Sequence, residues 1–155
     1  MTGSGDPVPR PPSPLAAPAA LLLVDLDEFS SLRSGGPPAV GAVLATVATV
    51  LRECVGAGGS VRRWGGGAFV VLLPGAGPTP AARVAERARV AVAGLLVPVR
   101  PRRVGGPSVS IGGAVRTGTR PGPTALFWSA DAALYEVKVA GGDAVRIRDL
   151  DVARR

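Results

Sequence analysis

The stretch "AALLLVDLDEF", Ala19 to Phe29, limits the fold more than any other part of the chain. It is an unbroken apolar run that ends in carboxylates. Such a run reads as a fully buried strand with its acids, Asp25 and Asp27, at the C-terminal end. A strand without a polar face needs cover on both sides, so the rest of the chain has to provide elements that pack on it.

The segments after it supply them. "SSLRSGGPP" is rich in turn residues and reads as a loop. From Ala39 to Cys54, apolar residues fall at Val40, Val43, Leu44, Val47, Val50 and Leu51, which is helical spacing, and "GAGG" ends that helix. "SVRRW" and "AFVVLLP" are two short strands joined at Gly65-Gly66, a hairpin. A second helix is expected over Pro80 to Leu96, with Val84, Ala88, Val92 and Leu95 toward the core. "VPVRPRRVGGP" carries too many prolines and glycines for regular structure. "SVSIGGAVRTG" is a strand weakened by Gly112-Gly113. Thr124 to Ala140 is a third helix, with Leu126, Phe127, Ala130, Ala133, Leu134 and Val137 on one face. "AVRIRD" alternates Val145 and Ile147 with Arg146 and Arg148, as a strand at a sheet edge does. The order β α β β α β α β implies an α+β sandwich: a central, mostly antiparallel sheet flanked by helices, in a ferredoxin-like arrangement.

Composition narrows the chemistry. A chain of 155 residues suits one domain. Residues 1–14 are too poor in large apolar groups to order themselves and are expected to form a tail. Residues 15–150 form the domain, and 151–155 a basic C-terminal tail. With no histidine and a lone Cys54, an internal disulfide, the usual zinc sites and histidine-based acid–base schemes are excluded. Any catalysis must rest on carboxylates. The net charge of +7 comes from arginines scattered along the chain, as on a solvated surface. The tight groups are Arg100/Arg102/Arg103 and Arg154/Arg155. The longest apolar run, Leu15 to Val24, is interrupted by Pro18 and is too short to cross a bilayer. No small-residue cleavage site follows it, so neither secretion nor membrane association is expected, and the location inferred is the cytoplasm.

Four landmarks, in order, resemble the GGDEF domains, the diguanylate cyclases and their relatives. The strand ends D-x-D-x-F, as Asp25-Leu26-Asp27-Glu28-Phe29. The hairpin reads Arg63-Trp64-Gly65-Gly66-Gly67-Ala68-Phe69, where the family has R-x-G-G-[DE]-E-F. A strand carries S-x-G at Ser110-Ile111-Gly112. The third helix carries A-D-x-A-L-Y-x-x-K-x-x-G from Ala130 to Gly141. The resemblance covers roughly residues 19–148. It implies the nucleotide-cyclase palm-like form of the α+β sandwich, in a bacterial protein of cyclic di-GMP signalling.

The family joins two GTP molecules into cyclic di-GMP across a dimer, with two divalent metals, normally magnesium, on the phosphates. Carried over residue by residue, the metal ligands present are Asp25 and the Leu26 carbonyl, with Asp27 as an auxiliary. Gly65, Gly66 and Lys138 would meet a nucleotide. The hairpin acids are absent, because their positions are Gly67 and Ala68. The guanine-reading positions fall on Arg33 and on "GGPPAVGAV", which has no carboxylate. A phosphate-binding arginine has become Gly142. The inhibitory R-x-x-D falls on Gly56-Ala57-Gly58-Gly59. The resemblance therefore implies a degenerate domain with no confident catalytic residue. Such a domain acts as a signalling module on a protein partner or as a homodimer, with no required cofactor. Magnesium would enter only with a nucleotide, and GTP or cyclic di-GMP would bind weakly. Two other readings remain open: residual nucleotide binding or weak cyclase activity, and anionic-polymer binding through Arg100, Arg102, Arg103, Arg116 and Arg120. Nucleic acid is not expected, because no aromatics are interleaved with these arginines.

Overall fold

The computed structural model describes residues 19–33, 36–95, 107–118 and 120–151. The expected tails, the start of the expected domain at 15–18 and the Arg100/Arg102/Arg103 group lie outside these residues, apart from Asp151. The apolar run becomes strand β1 (Ala19–Leu26), with Asp25 inside it and Asp27 in the turn beyond. The elements that follow are α1 (Phe29–Arg33), α2 (Pro37–Val55), β2 (Ser60–Gly65), β3 (Ala68–Pro74), α3 (Pro78–Ala93), β4 (Val109–Arg116), α4 (Pro123–Val139) and β5 (Val145–Asp149).

The sheet order is β2-β3-β1-β4-β5, so β1 is central as its composition demands. β1 pairs antiparallel with β3 and β4, and β2 pairs antiparallel with β3. β5 runs parallel to β4 at the edge. Alternate residues of β1 serve two cores. Ala20, Leu22, Val24 and Leu26 pack with Val47 and Leu51 of α2 and Ala85 and Val92 of α3. Ala19, Leu21 and Leu23 pack with Leu126 and Ala130 of α4 on the other face.

The structure corrects several expectations. The loop "SSLRSGGPP" holds the short helix α1 and the start of α2. Helices α2, α3 and α4 all begin earlier than their apolar periodicity suggests, at Pro37, Pro78 and Pro123, each preceded by a glycine. Proline at the first helical position sacrifices no hydrogen bond and presets φ, so Pro37 starts a helix inside the expected loop, and Pro78 and Pro123 start theirs ahead of the expected Pro80 and Thr124. On α3 the deepest residues are Ala81, Ala85, Ala88 and Val92; Val84 is only partly buried, as is Leu95, which lies past the end of the helix at Ala93. Gly112 also proves structural: a Cβ there would lie 2.2 Å from the Leu134 nitrogen, so β4 lets the α4 backbone settle directly on the sheet. Arg116 is buried, with its guanidinium donating to the Pro121 carbonyl, which removes it from a polymer-binding surface. Finally, α2 is long and apolar enough to span a bilayer by composition, with a mean hydropathy of 1.5. No unbroken apolar run signals it, because Gly41, Thr46 and Thr49 are interspersed. In this fold it lays Val43, Leu44, Val47 and Leu51 into the core.

Candidate functional site

The site residues named from sequence converge where β1 ends. Pairing places Asp25 opposite Ala68 on one side and Ser110 on the other. The Leu26 amide donates to the Gly67 carbonyl at 2.9 Å, which joins the strand end to the hairpin. Within the hairpin, Gly65 and Gly66 take φ of 139° and 52°, conformations that suit glycine, and the Arg63 guanidinium donates to the Gly66 carbonyl at 2.8 Å. These two glycines are needed for the turn whatever binds there. Gly67 is different. It is buried and has no positive φ, and its neighbours pack closely around it. A Cβ there would stand 2.8 Å from the Phe29 ring and 3.1 Å from the Leu26 Cβ. Phe29 opens α1 and its ring fills the space that a residue-67 side chain would use. Ala68 is half-buried, and Phe69 lies in the core.

Lys138, near the end of α4, reaches back to both strand acids. Its ammonium lies 2.9 Å from Asp25 Oδ2 and 3.3 Å from Asp27 Oδ1. Asp27 is further engaged: Ser110 Oγ donates to Oδ1 at 2.6 Å, Ser108 Oγ to Oδ2 at 2.7 Å, and the Asp143 amide to Oδ2 at 3.0 Å. Partial burial by itself would raise the Asp27 pKa. The Ser110, Ser108 and Asp143 hydrogen bonds and the Lys138 charge outweigh it and hold the carboxyl below its ordinary value. Asp27 thus fastens the β1 end to the start of β4 and to the turn after α4. Arg89 of α3 braces that turn from outside through Asp143, at 3.0 Å. Within the turn, Gly142 takes φ 77°, and a Cβ there would stand 2.9 Å from Asp27 Oδ1. Any side chain at this position would crowd the carboxylate.

Sequence reasoning named Asp25, Leu26, Asp27, Gly65, Gly66 and Lys138, and the structure brings all six into one region. It missed Ser108, Asp143 and the role of Phe29. Ser110 was visible only as part of a landmark. A divalent cation asks for several hard oxygen donors. Here Asp27 already has four partners and Asp25 is paired with an ammonium, a poor fit to a magnesium pair. Among the described residues, no three metal-ligating side chains gather around one point. An open groove of about 450 Å³ between α3 and β5, lined by Pro78, Ala82, Arg83 and Ile147 among others, contains none of these residues.

The comparisons with known proteins identify the fold. The family described as diguanylate cyclase, GGDEF domain, matches residues 14–144. The response regulator PleD of Caulobacter vibrioides is 33% identical over 147 residues, which is 94% of this chain and 32% of the relative. Diguanylate cyclase DgcM of Escherichia coli is 36% identical over 132 residues, covering 84% of this chain and 31% of the relative. The chain spans about a third of the length of these curated relatives. Among solved structures, the GGDEF domain of DgcB from Caulobacter crescentus, in complex with c-di-GMP, superposes with a TM-score of 0.75 at 25% identity, covering 84% of this chain and 78% of that one. Diguanylate cyclase SiaD from Pseudomonas aeruginosa, in complex with its activator SiaC, gives 0.74 at 26% identity, covering 84% and 50%.

Proposed function

The chain belongs to the GGDEF family, and we propose that this member keeps the fold as a protein-interaction module in signalling and does not make cyclic di-GMP. One observation carries the reading. The hairpin acid is replaced by a glycine packed under Phe29, and the remaining strand carboxylate, Asp25, is paired with Lys138. In the family's reaction magnesium clamps the phosphate oxygens and activates the attacking hydroxyl. The residues of this chain do something else. Asp25 and Asp27 share one internal cation, Lys138. Asp27 spends its other acceptor capacity on Ser108, Ser110 and the Asp143 amide. Two divalent ions would add like charge beside that ammonium, at about 4 kcal/mol for each pair of unit charges roughly 4 Å apart at an effective dielectric of 20. Only the Asp25 carboxylate would be left to offset it. What remains is a scaffold, and a protein partner is in keeping with one similar protein, the diguanylate cyclase SiaD, whose structure is a complex with its activator SiaC.

Product analysis tests the reading. The purified chain, incubated with GTP and magnesium, is expected to return the GTP unchanged when the nucleotides are separated by chromatography. Cyclic di-GMP in the mixture, lost again in Asp25→Asn, would contradict it.

A further inference from the structure

Among the described residues, four of the five large hydrophobic side chains that stand out in solvent lie on one side of the molecule. They are Trp64 (66% exposed), Trp128 (62%), Tyr135 (70%) and Val139 (69%). Phe127 joins them: its ring centroid is 5.2 Å from that of Trp64 and 5.6 Å from that of Trp128. Along the outer face of α4, Trp128, Ala132, Tyr135 and Val139 are spaced four, three and four residues apart. This is the spacing with which one helix presents a seam to another. Buried aromatics cover about 150–250 Å² each, so three of them at two-thirds exposure offer roughly 300–500 Å² before Val139 is added. That is in the range of the largest patch a monomer exposes, and a large part of the roughly 800 Å² each partner gives to a standard interface.

The borders of the patch indicate its occupant. Arg62 lies on the α4 side of the sheet, because its pairing partner Val70 belongs to the α4-side core. On the other side Arg146 and Arg148 reach Glu136 of α4. Three guanidiniums thus frame a seam that carries Asp131 and Glu136, in a chain of net charge +7. A second copy would bring the same positive excess, three arginines to the two carboxylates Asp131 and Glu136, whereas an acidic partner would offset it. We propose that the α4 face docks an amphipathic helix of a protein partner, with an apolar seam against Trp128, Tyr135 and Val139 and acidic residues on its flanks. This deepens the reading of the domain as an interaction module. Cyclic di-GMP production would overturn that reading and leave this test unaffected.

The test uses the full chain and two fluorescein-labelled synthetic helical peptides. Both carry leucines at the four-three-four spacing, one flanked by glutamates and the other by lysines. Anisotropy should show saturable binding of the glutamate peptide and at least tenfold weaker binding of the lysine peptide. The tryptophan emission should shift to the blue on binding, since both tryptophans of the chain belong to the patch. Trp128→Ala and Tyr135→Ala, whose side chains are mostly exposed and should leave the circular dichroism unchanged, are each expected to weaken binding at least fivefold. Absence of saturable binding, equal binding of both peptides, or unchanged affinity in both variants would overturn the proposal. So would a dimer in sedimentation that Trp128→Ala abolishes, because the face would then belong to a second copy.

Discussion

Gly112→Ala tests how the site is held together, since α4, which delivers Lys138, rests directly on β4 at this point. The new Cβ would sit 2.2 Å from the Leu134 nitrogen, 2.4 Å from the Ala130 oxygen and 2.6 Å from the Leu134 Cα. All three are backbone atoms of a regular helix, so no side-chain rotation relieves the overlap. The helix would have to rise by about 1 Å, and a gap of that size already forfeits a quarter to a half of each van der Waals contact along its buried face. That face includes Leu126, Ala130, Ala133 and Val137. Ordinary overpacking costs about 1–3 kcal/mol, and this case is expected at or above about 3 kcal/mol. Gly113→Ala is the control on the same strand. Its Cβ would meet Ile147 Cδ1 at 2.5 Å and Leu22 Cδ2 at 2.6 Å, both ends of flexible side chains. Its cost should stay near 1–2 kcal/mol, partly offset by the roughly 0.5 kcal/mol that alanine gains over glycine in a strand. Urea unfolding followed by far-ultraviolet circular dichroism measures both. A Gly112→Ala protein as stable as Gly113→Ala, or more so, would refute the idea that close backbone packing positions α4.

Asp27 should make stability acid-sensitive. Its folded pKa is depressed, so its contribution is present above the unfolded carboxylate value near 3.9 and is lost as pH falls through the folded one. Urea midpoints of the wild type should therefore drop below about pH 4, and Asp27→Asn should flatten that drop while costing about 1–3 kcal/mol at neutral pH through mispaired donors. An unchanged acid slope in Asp27→Asn would contradict the role assigned to the carboxylate. At the hairpin, Gly67→Ala should cost about 1–3 kcal/mol by pressing on the Phe29 ring. In the Phe29→Leu background the same substitution should cost clearly less, and additive losses in a double-mutant cycle would show that the ring is not the obstacle.

The strands were legible because their periods are strong. The unbroken run of β1, the alternation of β5 and the glycine turn between β2 and β3 each point to one structure. The helix starts at Pro37, Pro78 and Pro123 were not, because a proline that opens a helix looks the same in sequence as one in a loop. The single turn of α1 is too short to show periodicity. In the site, Asp25 and Lys138 were named through a family resemblance, but their direct pairing depends on how α4 crosses the sheet. The same holds for Asp27: Ser108, Ser110 and the Asp143 amide meet it only because β4 and the turn after α4 flank the end of β1. The cover of Phe29 over Gly67 is likewise a product of tertiary packing.

Lys138 serves as the cation of the strand carboxylates Asp25 and Asp27. Titration with manganese(II), followed by water-proton relaxation on the wild type, Lys138→Met and Lys138→Met/Asp25→Asn, tests this most directly. Removing a unit positive charge within a few ångströms of a partly exposed site is worth about 1–4 kcal/mol to an incoming cation. Lys138→Met should therefore bind manganese at least about fivefold tighter than the wild type, and the added Asp25→Asn should abolish the gain. A wild-type site as tight as that of Lys138→Met, lost on Asp25→Asn, would contradict it.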